Sequence, residues 1–304
     1  MPDLVKGAKP SSPIIYCAVH TVLPACCQVI FDLSMVGDND SSEELQVTKA
    51  IRYFLFLVGI AQLFFAAAFF LQWPFAVNLW PFEGTTPLTF IFIASIFAAA
   101  AAPTLWAVVT ENYGTLAGIA LDYFTILAPV SILSFQLGAR DGDPRLTTYA
   151  MVCVFGAIFG LGLFIWSARI PIHGVLPMPG FVRWSFILFI IALLIVGGRL
   201  VFKVPNSIPW KITPELSVVM GWMFLGAATY FAYGLLRPSW LNSAGQMIGF
   251  LAYDVVLIWP FLSRLPATPP ENKLGLTVYT AVVVYSGLLA IYYLFVNRTT
   301  RLST

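Results

Sequence analysis

Charged residues are scarce here: Asp, Glu, Lys and Arg make up 10% of the 304 residues, against about a quarter in an ordinary globular domain. Histidine is scarcer still, at two residues, His20 and His173. That excludes paired axial histidines for haem and any histidine-rich zinc or iron site. The four cysteines (Cys17, Cys26, Cys27 and Cys153) contain no C-x-x-C spacing and outline no disulfide framework. No G-x-S-x-G elbow, P-loop or dinucleotide fingerprint occurs. The net charge of +2 is too small for a nucleic-acid binder, and the chain is too apolar to be disordered. No metal, cofactor or nucleic-acid partner is expected.

What the chain has in quantity is apolar surface: 59% of its residues are hydrophobic. That is more than the polar remainder covers in water, so lipid is the expected solvent. A membrane-spanning helix needs about 20 consecutive, mostly apolar residues. Eight stretches qualify, near residues 51–73, 87–109, 114–137, 147–167, 182–203, 215–236, 244–265 and 275–296. Such continuous runs do not fit a β-barrel, whose strands alternate over about 10 residues. The expected fold is an all-α, polytopic integral membrane protein of eight transmembrane helices. No lysine lies at the middle of a span, which excludes a retinal Schiff base. Seven of the nine tryptophans, Trp73, Trp80 and Trp210 among them, fall near span ends and are expected in the headgroup belt. Basic residues slightly favour the side of the termini, with Arg52 just before the first span, and give cytoplasmic termini in the cell membrane.

Residues 1–34 differ from the rest. Two lysines precede a patchy apolar stretch broken by His20, Pro24, Gln28 and Asp32. Leu23-Pro24-Ala25-Cys26 is similar to a lipoprotein cleavage site, so a signal-like segment is one reading. A mis-assigned start is the other, because Met35 opens a polar segment that leads into the first span. The chain then divides into three units: a leader over 1–48, a four-helix unit over 49–169 and a second over 170–304.

The last two are related by an internal duplication. Residues 52–74 align with 183–205 without a gap, matching Arg52 with Arg183 and Pro74 with Pro205. Farther on Trp80 meets Trp210, Pro87 meets Pro214, Asp122 with Pro129 meets Asp254 with Pro260, and Tyr149 meets Tyr279. Four spans per unit make the two halves parallel, related by a pseudo-twofold axis along the membrane normal.

Charges inside spans are costly and point to function. Asp122 and Asp254 lie about 12 and 15 Å deep, counted at 1.5 Å per residue from the nearer span starts. If spans three and seven line the interface between halves, the two carboxylates face one another near the axis. Pro129 and Pro260, about two turns beyond, each free a backbone carbonyl and kink the helix, which suits proton or cation binding. Gln62 and Gln246 are candidates to line a path, with Tyr253 beside Asp254. Arg199 is expected to snorkel to the interface. Gly156 and Gly160 are expected to serve close helix packing. Tyr253-Asp254 resembles the first aspartate motif of intramembrane aspartyl proteases, but their partner Gly-x-Gly-Asp and Pro-Ala-Leu motifs are absent.

These residues suggest a carrier of a small solute, coupled to a proton or cation, with Asp122 and Asp254 at its centre; a membrane enzyme ranks third, with only the carboxylate pair to speak for it. The alternative is a non-catalytic subunit or assembly scaffold that binds other membrane proteins, since few polar residues line the spans.

Overall fold

A computed structural model describes residues 40–172 and 176–302. The leader over 1–34, with His20 and three of the cysteines, and His173 lie outside the described residues. The elements are α1 (Asp40–Phe70), α2 (Pro74–Leu79), α3 (Pro87–Val109), α4 (Leu116–Asp141), α5 (Pro144–Ser167), α6 (Gly180–Val201), α7 (Pro214–Leu236), α8 (Trp240–Arg264) and α9 (Pro270–Ile291). No strand occurs among the described residues. A compact unit runs from Arg52, inside α1, through α9. All of these helices except the six-residue α2 are long and apolar enough to cross a membrane.

Local chemistry sets their ends. Proline opens α3, α5, α7 and α9, where its missing N–H has no helical partner to lose. Asp143, Thr213 and Ser239 cap α5, α7 and α8 by accepting from the amides of Arg145, Leu216 and Asn242. The Ser239 cap carries α8, and a proline at the first position carries α9, four and five residues ahead of their apolar runs. Polar Asn242 and Ser243, and then Glu271 to Lys273, fill those first turns.

α1 and α6 end alike. Gln72 and Lys203 each take a left-handed conformation, at φ 51° and 56°. In α1 the amides of Leu71, Gln72 and Trp73 reach the carbonyls of Ala67, Phe69 and Ala68. In α6 those of Phe202, Lys203 and Val204 reach Gly198, Leu200 and Arg199, the same pattern residue for residue. Each closes a Schellman turn ahead of a proline two residues on.

α3 and α7 are the most deeply enclosed, with 72% and 61% of their apolar windows buried. α3 packs along α8, and α7 along α4; α4 with α5, α6 with α7 and α8 with α9 are the other close neighbours. Small residues bring backbones together. A Cβ on Gly197 of α6 would come within 3.0 Å of the Gly221 carbonyl of α7, and one on Gly160 within 3.0 Å of the Ala120 carbonyl. At Gly156 a Cβ would run into Leu127, so the expected packing role of that pair holds. Between α1 and α3 the spacers are rings: Phe97 stacks on Phe65 and Phe69 at 5.8 and 5.7 Å.

The outward faces are aliphatic and aromatic. Tyr53 and Leu57 on α1, Val152 and Phe155 on α5, and Trp184 and Leu188 on α6 are all well exposed, whereas Ser95, Thr104, Ser134, Asn242 and Gln246 are buried. That inversion is what a lipid solvent selects. The tryptophan belt is only partly present. Trp73 and Trp184 are exposed, but Trp80, Trp210 and Trp240 are buried. Aromatic packing draws them inward: Trp80 lies 5.6 Å from Tyr149, Trp210 6.3 Å from Tyr279 and Trp240 6.2 Å from Tyr293. The indole N–H groups of Trp80 and Trp210 both lack a partner. Arg199 sits at the exposed end of α6 and donates to the Pro205 carbonyl at 3.5 Å, as snorkelling requires.

Candidate functional site

α3, α4, α6, α7, α8 and α9 enclose a cavity of about 600 Å³. Its closed end is built from Asp122 on α4, Tyr230 on α7 and Gln246 on α8. Each is six residues, about 9 Å of helix rise, from the end of its helix on the side where α1 begins. The opposite end reaches Asn206 to Pro209 before α7 and Glu271 to Gly275 in α9. The cavity therefore runs from one membrane face most of the way to the other. Phe92, Phe189, Phe224, Phe231 and Phe250 supply much of the wall.

Glycines on α7 make room for the polar groups at the closed end. A Cβ on Gly226 would overlap Asp122 Oδ1, and one on Gly234 would overlap the Gln246 amide. Gln246 Nε2 donates to the Tyr230 carbonyl, which leaves Oε1 as an acceptor without a donor. Asp122 Oδ1 has no donor either. A buried polar group left unsatisfied costs about 1–3 kcal/mol. Both oxygens are sealed against the α7 glycines, which leaves Asp122 Oδ2 as the carboxylate oxygen that meets the cavity. Thr229 Oγ1 donates to Thr125 Oγ1 at 3.3 Å and ties α7 to α4 beside them.

The sequence candidates divide. Asp122, Gln246 and Tyr253 share this one cavity. Asp254 lies behind its wall, where Ser286, itself a lining residue, donates to Oδ1 at 3.0 Å while Oδ2 stays unpartnered. A Cβ on Gly287 would sit 3.4 Å from that Oδ2. The carboxylates thus have separate surroundings: Gly226 faces Asp122, and Ser286 and Gly287 face Asp254. Tyr253 pairs hydroxyl to hydroxyl with Tyr279. Gln62 is outside the cavity lining; its Nε2 donates to Tyr123 Oη at 2.9 Å and pins α1 to α4. Pro129 and Pro260 lie inside α4 and α8, away from the lining.

Tyr230, Ser286 and Pro103 enter only with the structure. Pro103 lies within α3 and deprives the Ala99 carbonyl of its helical donor. Ala99 borders the cavity, and a Cβ on Gly249 would come within 3.1 Å of that carbonyl. The sequence signal for it was a proline inside an alanine run.

The fold and this surface define an integral membrane protein with eight apolar helices. The chain matches no family model, and no curated protein or solved structure shows significant similarity to it.

Proposed function

We propose that the protein is a carrier for a small solute, coupled to a proton or cation, that uses Asp122 and Asp254 as its intramembrane acidic groups. The observation that carries this reading is the cavity running from one face to Asp122, with Asp254 one hydroxyl behind its wall. A packing role alone would need no such space. In this reading the termini are cytoplasmic.

The carrier consists of two tandem four-helix units, 49–169 and 170–304. Three pairs of matching features support that. α1 and α6 share their terminal turn at aligned residues. Aligned Trp80 and Trp210 pack on aligned Tyr149 and Tyr279. The α3–α8 and α4–α7 packings exchange with each other when the units are exchanged.

The competing scaffold reading draws on the wide apolar faces of α1 and α6, where Tyr53 and Trp184 are 69% and 71% exposed. Reconstitution separates the two. In vesicles, the Asp122→Asn/Asp254→Asn double variant should assemble normally yet lose solute or proton flux. Wild-type flux in that variant would sink the carrier. Loss of assembly in both single variants, with no flux from the wild type, would favour the scaffold.

A further inference from the structure

The chemistry of the lining narrows what the cavity accepts. It includes two carboxylates, Asp122 at the closed end and Glu271 at the mouth, and no Lys, Arg or His. Anions are disfavoured in such a space. Small inorganic cations fit poorly too, because Ca²⁺ needs six to eight oxygen ligands and Mg²⁺ an octahedral set. No cluster of three or more metal-ligating side chains occurs among the described residues. The remaining wall is mostly aliphatic and aromatic, and ring faces attract cations while burying apolar bodies.

The cavity is also open sideways. Ala192 of α6 and Val278 and Val282 of α9 line it, and all three are exposed. They sit near the middle of their helices, at the depth of the hydrocarbon layer. α6 and α9 do not pack extensively on one another. The hydroxyls of Ser185 and Tyr285, at 2.8 Å, join them near the terminal-side end.

We infer that the cavity binds a lipophilic organic cation, its charged group against Asp122 and its body among the phenylalanine rings, and that the cation arrives from the bilayer between α6 and α9. This rests on the carrier reading and names its substrate class. Asp122 supplies the charge through Oδ2, while its Oδ1 and the Gln246 amide are packed against Gly226 and Gly234 of α7 and hold the closed end in place. A cation dissolved in the lipid interface needs no passage through the aqueous mouth.

Binding of radiolabelled tetraphenylphosphonium to the full chain in nanodiscs tests it, with tetraphenylborate as the anion of matching size and empty nanodiscs as background. The phosphonium should saturate and the borate should not. Asp122→Asn, close in shape to the native side chain, should weaken binding at least roughly tenfold, as for the loss of one partner of a buried charge pair. Ala192→Trp, on the lipid-facing rim, should slow association severalfold while the chain stays folded. Equal uptake of borate, or undiminished binding in Asp122→Asn, would overturn the cation site. An unchanged association rate in Ala192→Trp would overturn the lateral route. Flux measured on the same preparations keeps the two readings apart. Binding without flux removes the carrier but leaves the site, and proton flux without phosphonium binding does the reverse.

Discussion

Ser286 donates to Asp254 Oδ1 at 3.0 Å, and this is the one hydrogen bond that links the buried carboxylate to a residue lining the cavity. Its removal leaves both carboxylate oxygens without a donor, since Oδ2 already has none. Ser286→Ala should therefore cost about 1–3 kcal/mol. A lowered thermal midpoint of the purified protein in detergent checks this. A second variant, Ser286→Ala/Asp254→Asn, should lose less than the two single effects combined, because the residues are in contact.

Gly226 tests the tight fit at the closed end. A Cβ there would lie 2.5 Å from Ile126 Cγ1 and closer still to Asp122 Oδ1. Gly226→Ala should destabilise by about 1–3 kcal/mol, as overpacked sites do. Gly162 is the control, with nothing within 4 Å of an added Cβ. Gly162→Ala should stay within about 1 kcal/mol of wild type. Similar unfolding midpoints for the two variants would contradict that difference in packing.

Gln72 holds a left-handed conformation without being glycine. For an L-residue that conformation costs roughly 1–2 kcal/mol. Gln72→Gly should stabilise the protein by about 1 kcal/mol, raising the thermal midpoint. Lys203→Gly, at the matching end of α6, should do the same if the two caps are equivalent in energy as well as in geometry.

Asp143 caps α5 between two spans, and the Arg145 side chain with its amide holds the carboxyl below the usual carboxylate range. A folded-state value depressed below the unfolded one gives stability that is present above about pH 4. It is lost as the pH falls through the lower folded value. Asp143→Asn should flatten the acid limb of stability against pH and leave the neutral region close to wild type.

The solvent decides how much of this is legible in the sequence. Lipid demands long uninterrupted apolar runs, so all eight spans stand out, and a carboxylate inside one, such as Asp122, is conspicuous against that background. The neighbours of Asp122 are not. Phe92, which lines the cavity, and Phe155, which faces outward, are the same residue in equally apolar runs. With hydrocarbon outside and apolar side chains inside, no periodicity separates the two faces, and only the packing of six helices does. Gln62 illustrates the same limit: its polarity is visible, but its partner Tyr123 sits on another helix. The buried Trp80 and Trp210 show a local rule overridden by tertiary packing, each ring lying beside a tyrosine on a helix distant in sequence.

The packing of α3 on α8 and of α4 on α7 also dictates an order of assembly. Helices enter the bilayer as they are made, and Asp122 arrives with the third long helix. Gly226, the residue that closes over it, arrives with the sixth. Until then α5 and the earlier helices are the only protein packed along α4, and the face that α7 will cover is left to lipid. Insertion therefore passes through a stage in which the most polar group yet placed at that depth waits for its shield. A chain interrupted after α5 would be held at that stage, a natural substrate for membrane quality control.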